Sequence, residues 1–584
     1  MVFTIQVNNR EIEARKGETI LEALRRAGFE VPTLCNMKDF TPTGACRMCV
    51  VEVEGRQDLV PSCSHYVEEW MKISTHSPRV IKARRTITEL LLSNHPDDCL
   101  YCEKNGNCEL QKIAEEMHIR ERKIPGSRVF IKPDRSSHGI TREPAKCILC
   151  GRCVRVCEEI QQVATLDFIY RGSSIKVTPA FDRELNFSNC IQCGQCLLVC
   201  PTGALTEKIR FTELESKLHD ASATVVAHFS PSVPLLLAEK FRLKPSVNAC
   251  GVLKAVLSKL GFDKVYESAF GTEVFIMEEA SLLLHRIPKN ENLPVISSAC
   301  PAWVSFAENE FSDLLAHLST CRSPQQMAST LAKMHISEDK TVKEPEKIFT
   351  VAISPCTARK YESQKPELTR KGLPETDLAI SISELFRLIR LYGVDPLQVE
   401  SEALPDGMRA ITSAGKLSDI SGGITEGVIR TFYFMATGKD LKEYRIEKLR
   451  NHKSRRDYVL KTGNYEYRFA VLSGFSMLSA LIEEIRSGTC NLHYVEIMAC
   501  PGGCTAGGGQ PSAPSQQILR QRAKDTFESE EKEIQKFAHK SPVIKELYEK
   551  KLGEPGGKKA LDLLHTHFTA HTTFQGVTNR KETE

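Results

Sequence analysis

At 584 residues the chain is too long for one hydrophobic core, so several domains are expected. Its 78 basic and 74 acidic residues leave a net charge of +4, which gives no electrostatic case for nucleic acid or a membrane surface as a partner. No apolar run reaches the roughly 18 residues of a membrane span, and the charged, alternating start lacks a signal-peptide core, so a cytoplasmic location is the expectation.

Taken in chain order, Phe3, Ile5 and Val7 alternate ahead of Asn8-Asn9-Arg10 and predict a hairpin over 3–13. Thr19 to Ala27 reads as a short amphipathic helix stopped by Gly28. Together with a following cysteine loop these elements predict a β-grasp, ferredoxin-like domain over 1–80. Residues 81–126 should be helical around a second cysteine loop, and 127–209 carry an internal cysteine repeat. From 210 to 584, strand-like runs (ATVVAHFS, KIFTVAIS, YRFAVLSG, YVEIMAC) alternate with helical ones (CGVLKAVLSKLG, SELFRLIRLYG, MLSALIEEIRSG), which predicts an α/β domain. The polar helical stretch beyond 512 would wrap it. The fold class expected is therefore α/β and multidomain. Neither a GxGxxG nor a P-loop supports nucleotide binding.

The 22 cysteines are poorly explained by disulfides in a reducing compartment, so most should be metal ligands or buried thiols. Fifteen precede residue 201, in four groups. Cys35, Cys46, Cys49 and Cys63 follow the β-grasp pattern; their spacing favours a 2Fe–2S cluster, with a zinc site as the alternative. His95, Cys99, Cys102 and Cys108 form the second group, in which histidine is either a ligand or a bystander. As a ligand it removes one negative charge and raises the cluster's potential. The other two are a repeat, Cys147-x2-Cys150-x2-Cys153-x3-Cys157 and Cys190-x2-Cys193-x2-Cys196-x3-Cys200-Pro201, the signature of a two-cluster 4Fe–4S ferredoxin. In that fold the fourth cysteines cross over, so Cys200 joins the first trio and Cys157 the second. Glu158 stands where a proline usually follows. One 2Fe–2S and three 4Fe–4S clusters in line make an electron wire.

Three further segments carry a resemblance. SSACPAW (297–303), SPCTARKYE (354–362) and EIMACPGGCTAGGGQP (496–511) resemble the active-site loops of iron-only (FeFe) hydrogenases, in order, and the likeness extends over essentially the whole chain. It implies that Cys300, Cys356, Cys500 and Cys504 hold a 4Fe–4S cluster. Cys504 would bridge that cluster to a di-iron unit bearing CO, cyanide and azadithiolate, the whole being the H-cluster. Ser230, Pro231, Ser232, Pro355, Gln325 and Met498 are the implied pocket residues. This accounts for 19 of the 22 cysteines and leaves Cys250, Cys321 and Cys490 as ordinary buried thiols.

The sequence departs from the family at several points. Ala299 occupies the place of the cysteine that first carries protons, and Leu282 that of a later carboxylate, while Glu279, Ser319 and Arg286 retain the rest of the relay. Ser354 replaces a methionine, Arg359 a lysine and Ser418 a phenylalanine. The expected function is reversible H2 oxidation and proton reduction with slow turnover, exchanging electrons with a soluble carrier such as ferredoxin. The di-iron unit would come from maturation proteins. An H2-sensing role is the first alternative, and an iron–sulfur subunit of an NADH- or formate-linked complex the second. A homo-oligomer or hetero-complex is compatible with each.

Overall fold

The computed structural model describes residues 2–126, 131–338, 347–370, 372–404 and 412–571. The N-terminal hairpin pairs Val2–Val7 with Arg10–Arg15 in the register Val7↔Arg10. Asn8 and Asn9 both take positive φ (47° and 66°), the two-residue turn whose twist suits a hairpin. These strands join Lys72–Ser74, Val50–Val53 and Val60–Pro61 in one five-stranded sheet. The helix Ile20–Arg26 starts on a Thr19–Glu22 capping box and lays Ile20, Leu21, Ala23 and Leu24 against that sheet.

The next helix begins at Pro78, within the stretch assigned to the β-grasp domain, because Ser77 caps it and proline suits its first turn. In the cysteine repeat, Gly151 and Gly194 each open a short helix, Arg152–Arg155 and Gln195–Val199, from the left-handed region (φ 75° and 72°). Two antiparallel ribbons, Ile140–Arg142 with Leu205–Glu207 and Asp167–Ile169 with Lys176–Thr178, complete this unit.

The C-terminal half holds two four-stranded sheets. The first is parallel throughout, in the order Lys264–Glu267, Thr224–Phe229, Ile348–Ser354, Leu378–Ser381. Its strands are apolar on both faces, as burial between two helical layers requires. One face packs on the helices Val233–Phe241, Ala249–Lys259 and Ile382–Leu391, the other on Ala269–Arg286 and Pro324–Ser337. The second sheet runs Val295–Ile296, Tyr494–Met498, Tyr465–Ser473, Arg455–Thr462, with only the last strand antiparallel.

The polar helix Gln516–Lys532 is tied down electrostatically: Glu530 meets Arg430 and Arg450, all three buried or nearly so. Among the described residues no helix is long and apolar enough to cross a membrane.

Candidate functional site

Parallel α/β sheets offer ligands a crevice beyond the carboxyl ends of their strands, and the C-terminal cysteines lie at such ends. Cys356 follows Ile348–Ser354 in the first sheet; Cys300 and Cys500 follow Val295–Ile296 and Tyr494–Met498 in the second. Cys504 comes next, after Gly502 and Gly503 at φ 95° and 99°. A Cβ on Gly503 would stand 2.5 Å from the Asp419 carbonyl oxygen, so only glycine allows the turn. Cys300, Cys356 and Cys504 line one enclosed cavity with Ser230, Pro231, Ala299, Pro355 and Met498. Burial pushes all four thiols upward, Cys356 to about 11. A coordinated metal removes that penalty by holding the thiolate directly.

The cavity wall is polar in places the sequence did not flag. Asp419 accepts from Ser232 N (2.9 Å) and Oγ (2.5 Å), so Ser232 turns to this carboxylate rather than into the cavity. His228 lines the cavity with its Nε2 2.7 Å from Ser329 Oγ, and burial, helped by Arg359, drives its pKa down to about 3. Arg359 reaches Ser323 Oγ (2.6 Å), Glu362 (2.9 Å) and the Ala299 carbonyl (3.1 Å), three acceptors in the fork geometry of a guanidinium. Ser354 Oγ accepts from the Cys356 N–H at 3.4 Å. Ser418 lines the cavity too, and Gln325 places there an Nε2 that is buried with no partner among the described residues, a donor awaiting an acceptor.

Of the expected proton carriers, Glu279 is buried on Ala269–Arg286 and accepts from Ser297 Oγ (3.0 and 3.1 Å) and Tyr494, with Ser319 beside it. Burial raises its pKa to about 7 despite those donors. Arg286 is spent otherwise: its guanidinium binds the carbonyls of Ala316, His317 and Leu318 at 3.3–3.5 Å. Leu282 is half-buried against the core. Cys321 is fully buried, whereas Cys250 and Cys490 are only half-buried, so the expectation of buried thiols holds in full for Cys321 alone.

The N-terminal cysteines gather as the repeat suggested. Cys147, Cys150, Cys153 and Cys200 surround one small cavity, and Cys157, Cys190, Cys193 and Cys196 another. Cys35 and Cys46 meet, as do Cys49 and Cys63. His95 is buried; its Nδ1 lies 3.0 Å from the Pro96 carbonyl, and Nε2 has no partner among the described residues. A histidine held at one nitrogen with the other bare is arranged as metal ligands are.

These centres abut. A Cβ on Gly203 would stand 2.5 Å from Cys102 Sγ, and Lys146, beside Cys147, pairs with Asp98 at 3.3 Å. Arg152, from the repeat, binds Glu109 with both arms (2.7 and 2.9 Å), next to Cys108. At the inner end the Gly194 and Gly508 backbones touch: a Cβ on Gly194 would lie 3.1 Å from Gly508 Cα. Gln195 reaches across to Cys500 Sγ at 3.3 Å and the Ala506 carbonyl at 2.9 Å.

Residues 223–508 match the family described as iron only hydrogenase large subunit, C-terminal domain, and 516–571 the iron hydrogenase small subunit. Ahead of them lie a 2Fe-2S iron-sulfur cluster binding domain (1–78), an NADH-ubiquinone oxidoreductase-G iron-sulfur binding region (84–123) and a 4Fe-4S dicluster domain (146–204). The chain is 37% identical to the NADP-reducing hydrogenase subunit HndD of Solidesulfovibrio fructosivorans, over 97% of this chain and 99% of that one. It is 30% identical to iron hydrogenase 1 of Clostridium pasteurianum, over 96% and 99%. An FeFe-hydrogenase structure from Chlamydomonas reinhardtii superposes with a TM-score of 0.55 at 28% identity, covering 62% of this chain and 98% of that one.

Proposed function

Because this chain belongs to the iron-only (FeFe) hydrogenase family, we propose that it interconverts H2 with two protons and two electrons at the Cys300–Cys356–Cys500–Cys504 site. The electrons would pass singly along four N-terminal clusters to a soluble carrier in the cytoplasm. The observation that carries this reading is the contact of Gln195, inside one cluster loop, with Cys500 of that site. It joins the wire to the site.

The residues fit the group they would hold. The four thiols would bind a 4Fe–4S cluster, with Cys504 shared with a di-iron unit fitted by maturation proteins. When bound, that group supplies soft low-spin iron for H2 and a base for the proton. Arg359 and the bare Gln325 Nε2 would donate to its anionic ligands. Pro231, Pro355 and Met498 keep water from it. Glu279 would take up the proton, its pKa near 7 suiting both uptake and release. In the wire, Cys35, Cys46, Cys49 and Cys63 would hold the 2Fe–2S cluster, and His95 Nε2 with Cys99, Cys102 and Cys108 a 4Fe–4S cluster. The two rings of four cysteines would hold the others, with the fourth thiols crossed over.

Infrared spectroscopy of the protein loaded with its clusters and di-iron unit tests this. CO and cyanide bands that change under H2 are expected; a loaded protein whose bands ignore H2 sinks the reading.

The similarity to an NADP-reducing hydrogenase subunit favours a second electron acceptor, a separate subunit that reduces a nicotinamide. Ala299 and Leu282 favour a slow, H2-sensing role on the same chemistry. Stoichiometric complexes recovered with native protein distinguish the first, and turnover of the loaded enzyme the second.

A further inference from the structure

The expected proton relay stops at Ser319. Beyond it Leu282 offers no proton, and Arg286 is occupied by three carbonyls. Ser319 nevertheless has a second neighbour. Its hydroxyl lies between the Glu279 carboxylate and Cys321, and it accepts the Cys321 N–H at 3.3 Å. Cys321 Sγ, fully buried, lies 3.9 Å from His565 Nε2. That nitrogen is 2.9 Å from Glu278 Oε2, and His565 Nδ1 is 2.8 Å from Thr320 Oγ1. The chain around His565 is clamped on this spot: Arg322 N–H donates to the Leu564 carbonyl and Thr566 N–H to the Thr320 carbonyl, both at 2.8 Å. The His565 side chain retains 7% exposure, so the series of groups ends at solvent.

We propose that Cys321 and the His565–Glu278 pair are the outward proton route from Glu279, in place of the route that Leu282 interrupts; this rests on the hydrogenase reading. In one passage the Glu279 acid gives its proton to Ser319 Oγ, the Ser319 hydroxyl proton passes to Cys321 Sγ, and the thiol proton passes to the pair. Glu279 is left as a carboxylate. The pair gains the proton that Glu279 loses, so no charge is created or lost. Release of that proton to water at the His565 edge, with rotation of the Ser319 hydroxyl and Cys321 thiol, resets the outer groups, and the next proton from the H2 site resets Glu279. Glu278 is itself held by the Gly556 N–H (2.9 Å) and the Tyr548 hydroxyl. His565 and Glu278 also fasten the C-terminal segment to Ala269–Arg286, so a proton route must be separated from a latch.

The test uses the full chain with its iron–sulfur clusters but without the di-iron unit. The carboxylic acid infrared band of Glu279, identified by its loss in Glu279→Gln, is followed after transfer to D2O. Exchange should slow about tenfold or more in Cys321→Ala and recover in Cys321→Ser, whose hydroxyl relays but packs no better. Turnover of the loaded enzyme should follow the same order. Unchanged exchange in Cys321→Ala overturns the route, as does slowing that Cys321→Ser fails to relieve while its unfolding midpoint matches wild type. If the loaded wild type lacks H2-responsive bands, the hydrogenase reading falls, and the exchange result still decides the route.

Discussion

The Gln195 side-chain amide donates to Cys500 Sγ at 3.3 Å and to the Ala506 carbonyl at 2.9 Å, so one residue of a ferredoxin loop touches a thiol of the hydrogenase site. Hydrogen bonds to cluster sulfurs stabilise the reduced state and raise the potential. Gln195→Leu should therefore lower the midpoint of the cluster held by Cys500, while leaving the 2Fe–2S centre unmoved. An EPR-monitored redox titration checks both. An unchanged midpoint would show the contact to be packing alone.

Glu279 gives a pH signature. Its pKa is about 7 in the folded protein against an ordinary 4.5, because burial disfavours the carboxylate. The native state thus holds this proton more tightly than the unfolded chain. Its contribution to stability is fully present below pH 4.5 and is lost as pH rises through about 7. Glu279→Gln should lack that loss, so the difference between variant and wild type should grow by roughly 3 kcal/mol from acid to neutral pH. Denaturant unfolding at a series of pH values measures it.

Arg359 is buried with Glu362, which pairs with no other cation among the described residues. Arg359→Ala leaves that carboxylate uncompensated and should cost about 3–5 kcal/mol. Arg359→Lys keeps the charge but not a fork that spans Ser323, Glu362 and the Ala299 carbonyl, so an intermediate loss is expected. Unfolding midpoints of the three proteins decide the order.

His95 presents a bare Nε2 in a buried setting. His95→Cys should retain a cluster at a lower potential, since a fourth thiolate there adds negative charge. His95→Ala should lose or weaken it. EPR spectra and iron counts of the variants distinguish these outcomes from a bystander histidine, for which neither quantity would change.

Ala299 carries no exchangeable proton, and its neighbour Ser297 already bonds Glu279. Ala299→Cys should raise H2 evolution of the loaded protein by about tenfold or more, within the range of a restored proton carrier. Wild-type turnover already fast and unimproved by the thiol would place the inner proton step elsewhere.

The cysteine spacing made the metal sites readable because ligands of one cluster lie close in sequence, as in Cys147-x2-Cys150-x2-Cys153. The apolar runs likewise announced the strands that end at the cavity. What spacing alone does not reveal is contact across distance. Asp419 meets Ser232 187 residues away, and Cys321 meets His565 244 residues away, so neither local period nor motif could connect them. In sequence, Cys321 is therefore indistinguishable from an ordinary thiol. Arg286 sits at the position of a proton carrier, and only the fold shows its fork held by three carbonyls. The helix starts at Pro78, a few residues ahead of the sequence boundary, because Ser77 and Pro78 resemble a turn as much as a cap.

The touching backbones of Gly194 and Gly508 also bear on kinetics. With the last cluster loop seated against the cavity through main chain, transfer between them involves no encounter. Dilution and added salt should leave that inner step unaltered and act only where the outermost cluster meets a separate partner. Ionic strength then becomes a means of telling, from rate alone, which end of the wire limits electron flow.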